Sequence, residues 1–266
     1  MILGSAENAP ILEFDEDDTT TTKEQFFNSG KKEFWRFIES QKHGITKCII
    51  FFPRSFHELS DIMWDCKLIY EFKSASTISP IYLYKNEVFI ALCPLGGPAA
   101  TNLIEELTHV GVTTFVAMGS CGCLSDQLDP KTLIVPTSSI RDEGISYHYL
   151  PASHDVKTSN KVNAAIKEVL TRHKLPFVFS KIWTTDAIYR ETPSRIERRR
   201  SEGALAVEME CASLAAVCKY KGLDYGQILY VSDVVGETKW NLRRYDKIKL
   251  RAKLVKICYE VLKSIN

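Results

Sequence analysis

The sequence predicts an α/β protein: one domain built on a mostly parallel or mixed sheet, with helices covering both faces. Three observations predict it. Short apolar runs alternate with amphipathic helical segments along most of the chain. No linker rich in Pro, Gly or Ser divides the chain, and no internal repeat is visible. At 266 residues, 45% of them hydrophobic, the chain is long enough for one large core.

The first thirty residues stand apart from that pattern. An acidic patch (Glu13, Asp15 to Asp18) and four threonines (Thr19 to Thr22) form cores poorly, so 1–30 is expected to be a partly solvated arm. Pro10-Ile-Leu-Glu-Phe14 is apolar enough to dock on the body or on a neighbouring subunit. The domain is expected over 31–266. Cys48 to Phe52 reads as a buried strand and Ser55 to Asp65 as a helix. Ile81 to Tyr84 and Val88 to Cys93 read as strands turning at Lys85-Asn86. Pro94 to Pro98 is a loop into an amphipathic helix, Ala99 to His109, with Leu103, Ile104 and Leu107 inward. Thr114 to Met118 is a strand broken by Gly119-Ser-Cys-Gly122. After Thr132 to Val135 comes an irregular stretch to about His154, then a helix, Asn160 to His173. Pro176 to Trp183 is a strand ending at Thr184-Thr-Asp186. Gln227 to Val231 is a buried strand following a helix, Cys211 to Lys219. Leu250, Leu254, Cys258, Val261 and Ile265 recur at helical spacing in a basic C-terminal helix.

Composition removes several functions. The net charge is +1, which gives no electrostatic case for nucleic acid or an anionic membrane surface. No run approaches the roughly 18 to 20 apolar residues of a membrane span, and a signal peptide's basic and apolar regions are not seen. The eight cysteines lie in apolar runs and a helix, with no CxxC pair, and Cys121-Gly-Cys123 is too closely spaced for a zinc knuckle. They read as reduced thiols of a cytoplasmic protein, with no metal site expected.

The chemistry concentrates in two places. Glu208-Met209-Glu210 opens the Cys211 helix, and Ser232-Asp233 closes the apolar run before it. An acid beyond the carboxyl end of a buried strand sits where open α/β sheets bind ligands. Carboxylates there grip sugar hydroxyls or donate a proton to a leaving group, the chemistry of breaking a glycosidic bond. The bland alternatives stand beside this: acids at a helix N-terminus, and a turn residue. On a regular helix Glu208 and Glu210 diverge by about 200°, which sends one of them to solvent unless both precede the helix. Gly119-Ser120-Cys121-Gly122 either cradles an oxyanion or is a plain turn. Arg198-Arg199-Arg200 reads as a solvated helix face. Tyr147-His148-Tyr149 either walls a base pocket or packs at the surface.

Taken together these residues resemble the nucleoside phosphorylase family of hexameric purine nucleoside phosphorylases, uridine phosphorylases and related nucleosidases. The carriers are Gly119 to Gly122, Ser138 to His148, Thr184-Thr-Asp-Ala-Ile-Tyr-Arg190, Val207-Glu-Met-Glu-Cys-Ala212 and Val231-Ser-Asp233. The resemblance implies a three-layer α/β/α sandwich around a distorted mixed sheet, in dimers that share active sites and usually assemble into hexamers. It also implies nucleoside and inorganic phosphate as substrates, with neither metal nor organic cofactor. Carried over, Glu210 binds the ribose hydroxyls, Met209 packs on the sugar and Glu208 lies beside them. Gly119 and Ser120 contact phosphate. Ile188 stands where the family often has an aromatic residue against the base, with Tyr189 next to it. Asp233 matches the acid that protonates a purine ring nitrogen.

The pattern departs from the family at the anion. An arginine usual two residues before the Gly-Ser motif is Ala117, and the first phosphate loop reads Phe52-Pro53-Arg54-Ser55-Phe56. Arg54, or Lys73 from a neighbouring subunit, are the candidate substitutes. Losing a bidentate arginine weakens a phosphate site, so a hydrolytic nucleosidase stands as the rival. Asp233 favours purines, whereas Ser138 to His148 looks more like the uridine enzymes. A nucleoside-binding protein without turnover is the third reading.

Overall fold

The computed structural model describes residues 10–12, 14–15, 25, 31–40, 44–52, 60–235, 240–242 and 247–266. The chain opens with helix α1 (Lys32–Ser40) and strand β1 (Lys47–Phe51). One helical turn, α2 (Ser60–Met63), precedes the meander β2 (Cys66–Lys73), β3 (Ile78–Tyr84) and β4 (Val88–Leu92). Helix α3 (Gly97–His109) leads to β5 (Thr114–Cys123) and β6 (Leu133–Asp142). A short helix α4 (Ser146–Tyr149), β7 (Asp155–Lys157) and helix α5 (Asn160–Arg172) follow. Then come β8 (Phe177–Thr185), helix α6 (Pro193–Ser201), β9 (Ala204–Glu208) and helix α7 (Cys211–Tyr220). β10 (Asp224–Val235), β11 (Trp240–Leu242) and helix α8 (Lys247–Ser264) complete it.

All the strands join one mixed sheet. β2, β3, β4, β1 and β5 lie side by side, with β1 parallel to β4 and β5. From β5 the pairing runs through β10, β6, β8 and β9 and returns to β5, so five strands close a ring. The two faces take different helices. Cys48 and Ile50 of β1 pack with α1, α3 and α7, whereas Ile49 and Phe51 pack with α2, α5 and α8. That two-residue alternation in one strand is what a sheet buried on both sides requires. The expected α/β/α sandwich around a distorted mixed sheet is the fold observed.

Local sequence explains most elements. Lys85 and Asn86 both have positive φ (52° and 58°), the turn that lets two strands with right-handed twist meet in a hairpin. Ser159 caps α5 by accepting from the Val162 amide. Leu254, Cys258, Val261 and Ile265 are buried, as their spacing predicted. Other expectations need correction. β5 is not broken at Gly119; it continues to Cys123. The stretch expected to be irregular holds β6, α4 and β7, and β2 was not anticipated. Of the expected 55–65 helix, 60–63 is helical and 53–59 lies outside the described residues. Arg199 and Arg200 do not form a solvated face. Arg199 donates to Asp142 and Glu202 over the Trp183 ring, and Arg200 donates to the Leu124 carbonyl.

Candidate active site

The glycines of β5 serve close approach, not turning. A Cβ on Gly119 would lie 3.3 Å from the Phe52 ring. One on Gly122 would lie 2.6 Å from Val235 Cγ2, 3.1 Å from Val207 Cγ1 and 3.5 Å from Asp233 Oδ2. β10 runs parallel to β5 in register as far as Val231, opposite Cys121. There the register slips by one, and Asp233 instead of Ser232 pairs with Gly122. An extra residue in one strand re-aims the side chains beyond it. Ser120 and Gly122 lie two apart in β5, so they share a face, and Asp233 joins that face opposite Gly122. Ser120 is exposed, Asp233 half-buried, and the Ser232 hydroxyl donates to Asp233 and to the Cys121 carbonyl.

The Glu-Met-Glu segment is not helical. β9 ends at Glu208 and α7 begins at Cys211, with Glu210 at the N-cap position. Both carboxyls are therefore buried, at 6% and 5% exposure, and neither goes to solvent. Met209 between them is half-buried. Glu208 accepts from Thr184 Oγ1 at 2.5 Å, from the amides of Glu210 and Cys211 at 2.9 Å each, and from the Gln227 side chain. It satisfies the orphan amides that open α7. Glu210 accepts from the Gly96 amide at 2.6 Å, delivered by a glycine at φ 97° ahead of α3.

Burial raises both acids. Glu210 is carried up to about 8, by burial first and by the Glu208 charge second. Glu208 is also raised by burial, but its four donors favour the ionised form. Thr184 holds its neighbour in place: its hydroxyl donates to Glu208 and accepts from the Ala212 amide at 3.0 Å. Ser139, 2.6 Å away, must then be the donor to Thr184. A second network ties the 143–146 turn to α7. Glu143 accepts from the Ile145 and Ser146 amides, the Ser146 hydroxyl and Ser213 Oγ at 2.6 Å. The Gly144 amide donates to Asp186, whose carboxyl is raised mainly by burial. Buried acids at the carboxyl end of a strand are the polar equipment for holding a diol and stabilising developing positive charge.

The model of the phosphorylase superfamily matches residues 49–263. The chain belongs to the phosphorylase superfamily. Among its relatives is a guanosine phosphorylase of Halorubrum lacusprofundi, 29% identical over 184 residues, covering 67% of this chain and 74% of that one. A uridine phosphorylase of Klebsiella aerogenes is 24% identical over 193 residues, covering 67% and 76%. One from Treponema pallidum is 28% identical over 160 residues, covering 56% and 62%. The resemblance read from the motifs holds, and with it the enzyme class, a pentosyltransferase of the nucleoside phosphorylase kind.

Within this superfamily member the predicted residues fall into groups. Glu208, Met209 and Glu210 run from the end of β9 to the start of α7; Gly119 and Ser120 pair with Leu229 and Tyr230 of β10, and Asp233 pairs with Gly122 further along. Ile188 and Tyr189 sit on a 3-10 turn, Ile188–Arg190, exposed at 55% and 98%. Lys73 ends β2, pairs with Glu71 at 3.5 Å, and lines a cavity of about 760 Å³ with Lys31, Pro94, Pro98, His109 and His148. Arg54 lies outside the described residues. The Tyr147–Tyr149 segment is occupied in packing: Tyr147 donates to the Arg141 carbonyl under the Arg141 guanidinium, and Tyr149 donates to Glu105. Among the described residues no group of three or more His, Cys, Asp or Glu could hold a metal, and no helix is long and apolar enough to cross a membrane. Sequence reasoning missed Thr184 as the support of Glu208, although it lies in a quoted motif. It also missed the Glu143 network.

Proposed function

We propose that the protein cleaves the N-glycosidic bond of nucleosides by phosphorolysis, with purine nucleosides preferred, giving free base and pentose 1-phosphate. The observation that carries the reading is the buried Glu210, fixed by the Gly96 amide and by its own amide's bond to Glu208, in the motif that grips ribose in the family. Glu210 takes the 2′- and 3′-hydroxyls, Met209 packs on the sugar and Glu208 holds both. Ser120 and Gly119 receive phosphate, with Arg54 and a partner's Lys73 as its cations. Ile188 and Tyr189 wall the base, and Asp233 gives it a proton. As the sugar becomes oxocarbenium-like, the surrounding carboxylates stabilise it, and protonation makes the base a better leaving group. Phosphate closes on the anomeric carbon. No cofactor is required.

We further read 31–266 as one catalytic domain with 1–30 as its arm, in a cytoplasmic homo-oligomer of dimers with shared sites. The exposure of Ile188 and Tyr189 supports such an assembly, because large apolar side chains beside a ligand need cover. Hydrolysis is the second reading. Ala117 is buried in β5 where the family carries an arginine, and that observation favours it.

The test is base release from inosine, adenosine, 5′-methylthioadenosine and uridine, with and without phosphate, with sugar 1-phosphate detected separately. The expected result is purine release that requires phosphate. Release indifferent to phosphate, with free sugar as product, overturns phosphorolysis in favour of hydrolysis. Faster turnover of uridine overturns the purine preference.

A further inference from the structure

We propose that Glu143 is a positioning residue of the sugar site: through Ser213 it sets how closely Gly97 approaches α7, and so fixes the Gly96 amide on Glu210. The proposal rests on the nucleoside phosphorylase reading above and deepens it, by naming what holds the acid assigned to the ribose hydroxyls.

Glu143 follows β6 and is buried at 6% exposure. A carboxylate taken out of water is costly unless donors surround it. Here the donors come from two places. Its own turn supplies the Ile145 amide at 2.9 Å, the Ser146 amide at 3.0 Å and the Ser146 hydroxyl. Helix α7 supplies Ser213 Oγ at 2.6 Å, from a position 70 residues further along the chain. The turn bonds alone would make Glu143 a cap for α4. The bond to Ser213 extends its hold to a second element.

The turn is braced from other sides. Buried Arg141 donates through Nε to Ser146 Oγ at 2.7 Å, so the Ser146 hydroxyl accepts from Arg141 and gives its own proton to Glu143. The same guanidinium donates to the Pro151 carbonyl at 2.7 Å and the Leu150 carbonyl at 3.0 Å. The Gly144 amide donates to Asp186, just beyond β8, at 2.9 Å. A carboxylate on so fixed a turn can lock a side chain of the facing helix in one rotamer.

Ser213 is fully buried in the first turn of α7, three residues after Glu210. The entry to α3 lies against it. A Cβ on Gly97 would sit 2.4 Å from Ser213 Oγ, 3.2 Å from Ser213 Cβ and 3.6 Å from Ile145 Cγ1. The Gly97 backbone therefore rests both on the hydroxyl that Glu143 holds and on the turn that Glu143 folds. Gly96 precedes it at φ 97°, and its amide donates to Glu210 Oε1 at 2.6 Å. Pro98, at the opening of α3, stiffens the backbone that follows. With Ser213 in another rotamer, Gly97 would lose its seat and the Gly96 amide its aim at Glu210. Misplacing a binding group by about an ångström can cost up to a hundredfold in rate.

The experiment compares the full-length wild type with Ser213→Ala, Glu143→Ala and Glu143→Gln, each alone and combined with Glu210→Gln. At saturating phosphate, kcat and KM are measured on inosine and on 2′,3′-dideoxyinosine, which lacks the hydroxyls assigned to Glu210. Ser213→Ala cuts only the link to α7, whereas Glu143→Gln keeps an oxygen for Ser213 and the turn amides. The expected result is a loss of about tenfold in kcat/KM on inosine for Ser213→Ala and Glu143→Ala. The loss on the dideoxy substrate is several-fold smaller, and Glu143→Gln retains most of the rate. In the Glu210→Gln background the same changes cost less than about twofold, because the acid they position has been altered. Equal losses on both substrates, losses undiminished in the Glu210→Gln background, or a wild-type rate for Ser213→Ala overturn the proposal. Melting of each variant identifies misfolding, which lowers both substrates alike. If Glu143→Ala does not fold, Ser213→Ala, which deletes a single hydroxyl, decides the matter. A wild type that cleaves neither substrate refutes the phosphorylase reading itself, a distinct outcome.

Discussion

Glu210 is buried, accepts from the Gly96 and Met209 amides and lies in the field of Glu208, so its carboxyl is held at about 8, by burial first. In the unfolded chain the same group titrates near the ordinary glutamate value of 4.5. The folded state therefore binds this proton more tightly than the unfolded state across that window. Stability contributed by the protonated acid is complete below the unfolded value and is lost as pH rises through about 8. Glutamine has the same shape, keeps an oxygen for the Gly96 amide and never ionises. Carrying the group from 4.5 to about 8, at about 1.4 kcal/mol per pH unit, sets a ceiling of roughly 5 kcal/mol for its ionisation penalty at alkaline pH. Part of that is shared with Glu208, so about 2 kcal/mol is the expected gain for Glu210→Gln. This corresponds to a rise in Tm of roughly 4 to 8 °C near pH 9 and almost none near pH 5. Melting at fixed protein concentration across pH reads it directly, while kcat/KM on a purine nucleoside should fall by about a hundredfold or more. A variant no more stable than wild type near pH 9 would refute the reasoning, as would a Tm offset that does not change with pH.

Two further outcomes follow from close contacts. Gly122→Ala places a methyl 2.6 Å from Val235 Cγ2 and is expected to cost about 1 to 3 kcal/mol; in urea unfolding, Val235→Ala in the same chain should recover part of it, and two additive losses would contradict the contact. Thr184→Val strips Glu208 of a 2.5 Å donor and the Ala212 amide of its acceptor. It should lower stability by about 2 to 3 kcal/mol, and an effect below about half a kcal/mol would show that the network is slack.

The parts legible in the sequence were those with a local signature. Helical spacing marked α3, α5 and α8, and unbroken apolar runs marked β1, β4 and β10. The Glu-Met-Glu segment announced the candidate ribose site. Gly119 and Gly122 misled, because glycine marks a turn far more often than a strand. Here the reason for glycine lies in Phe52, Val207 and Val235, residues remote in the chain. The burial of both glutamates depended on β9 ending at Glu208, a boundary that no residue signals. Arg199 looked solvated because its partners, Asp142 and Trp183, come from β6 and β8.

The closed ring of five strands also bears on how the molecule is made. β5 and β10 pair along ten residues although Thr114 and Asp224 are roughly 110 positions apart, so this contact bears a large loop-closure entropy and forms late. On a ribosome, Ser120 emerges long before Asp233, and the intervening strands must wait for β10 to fill the gap between β5 and β6. Until it does, β5 exposes an apolar edge to any other chain. Helical signal should accordingly return early during refolding and catalytic competence last, since the strand that seals the ring is also the one that carries the acid.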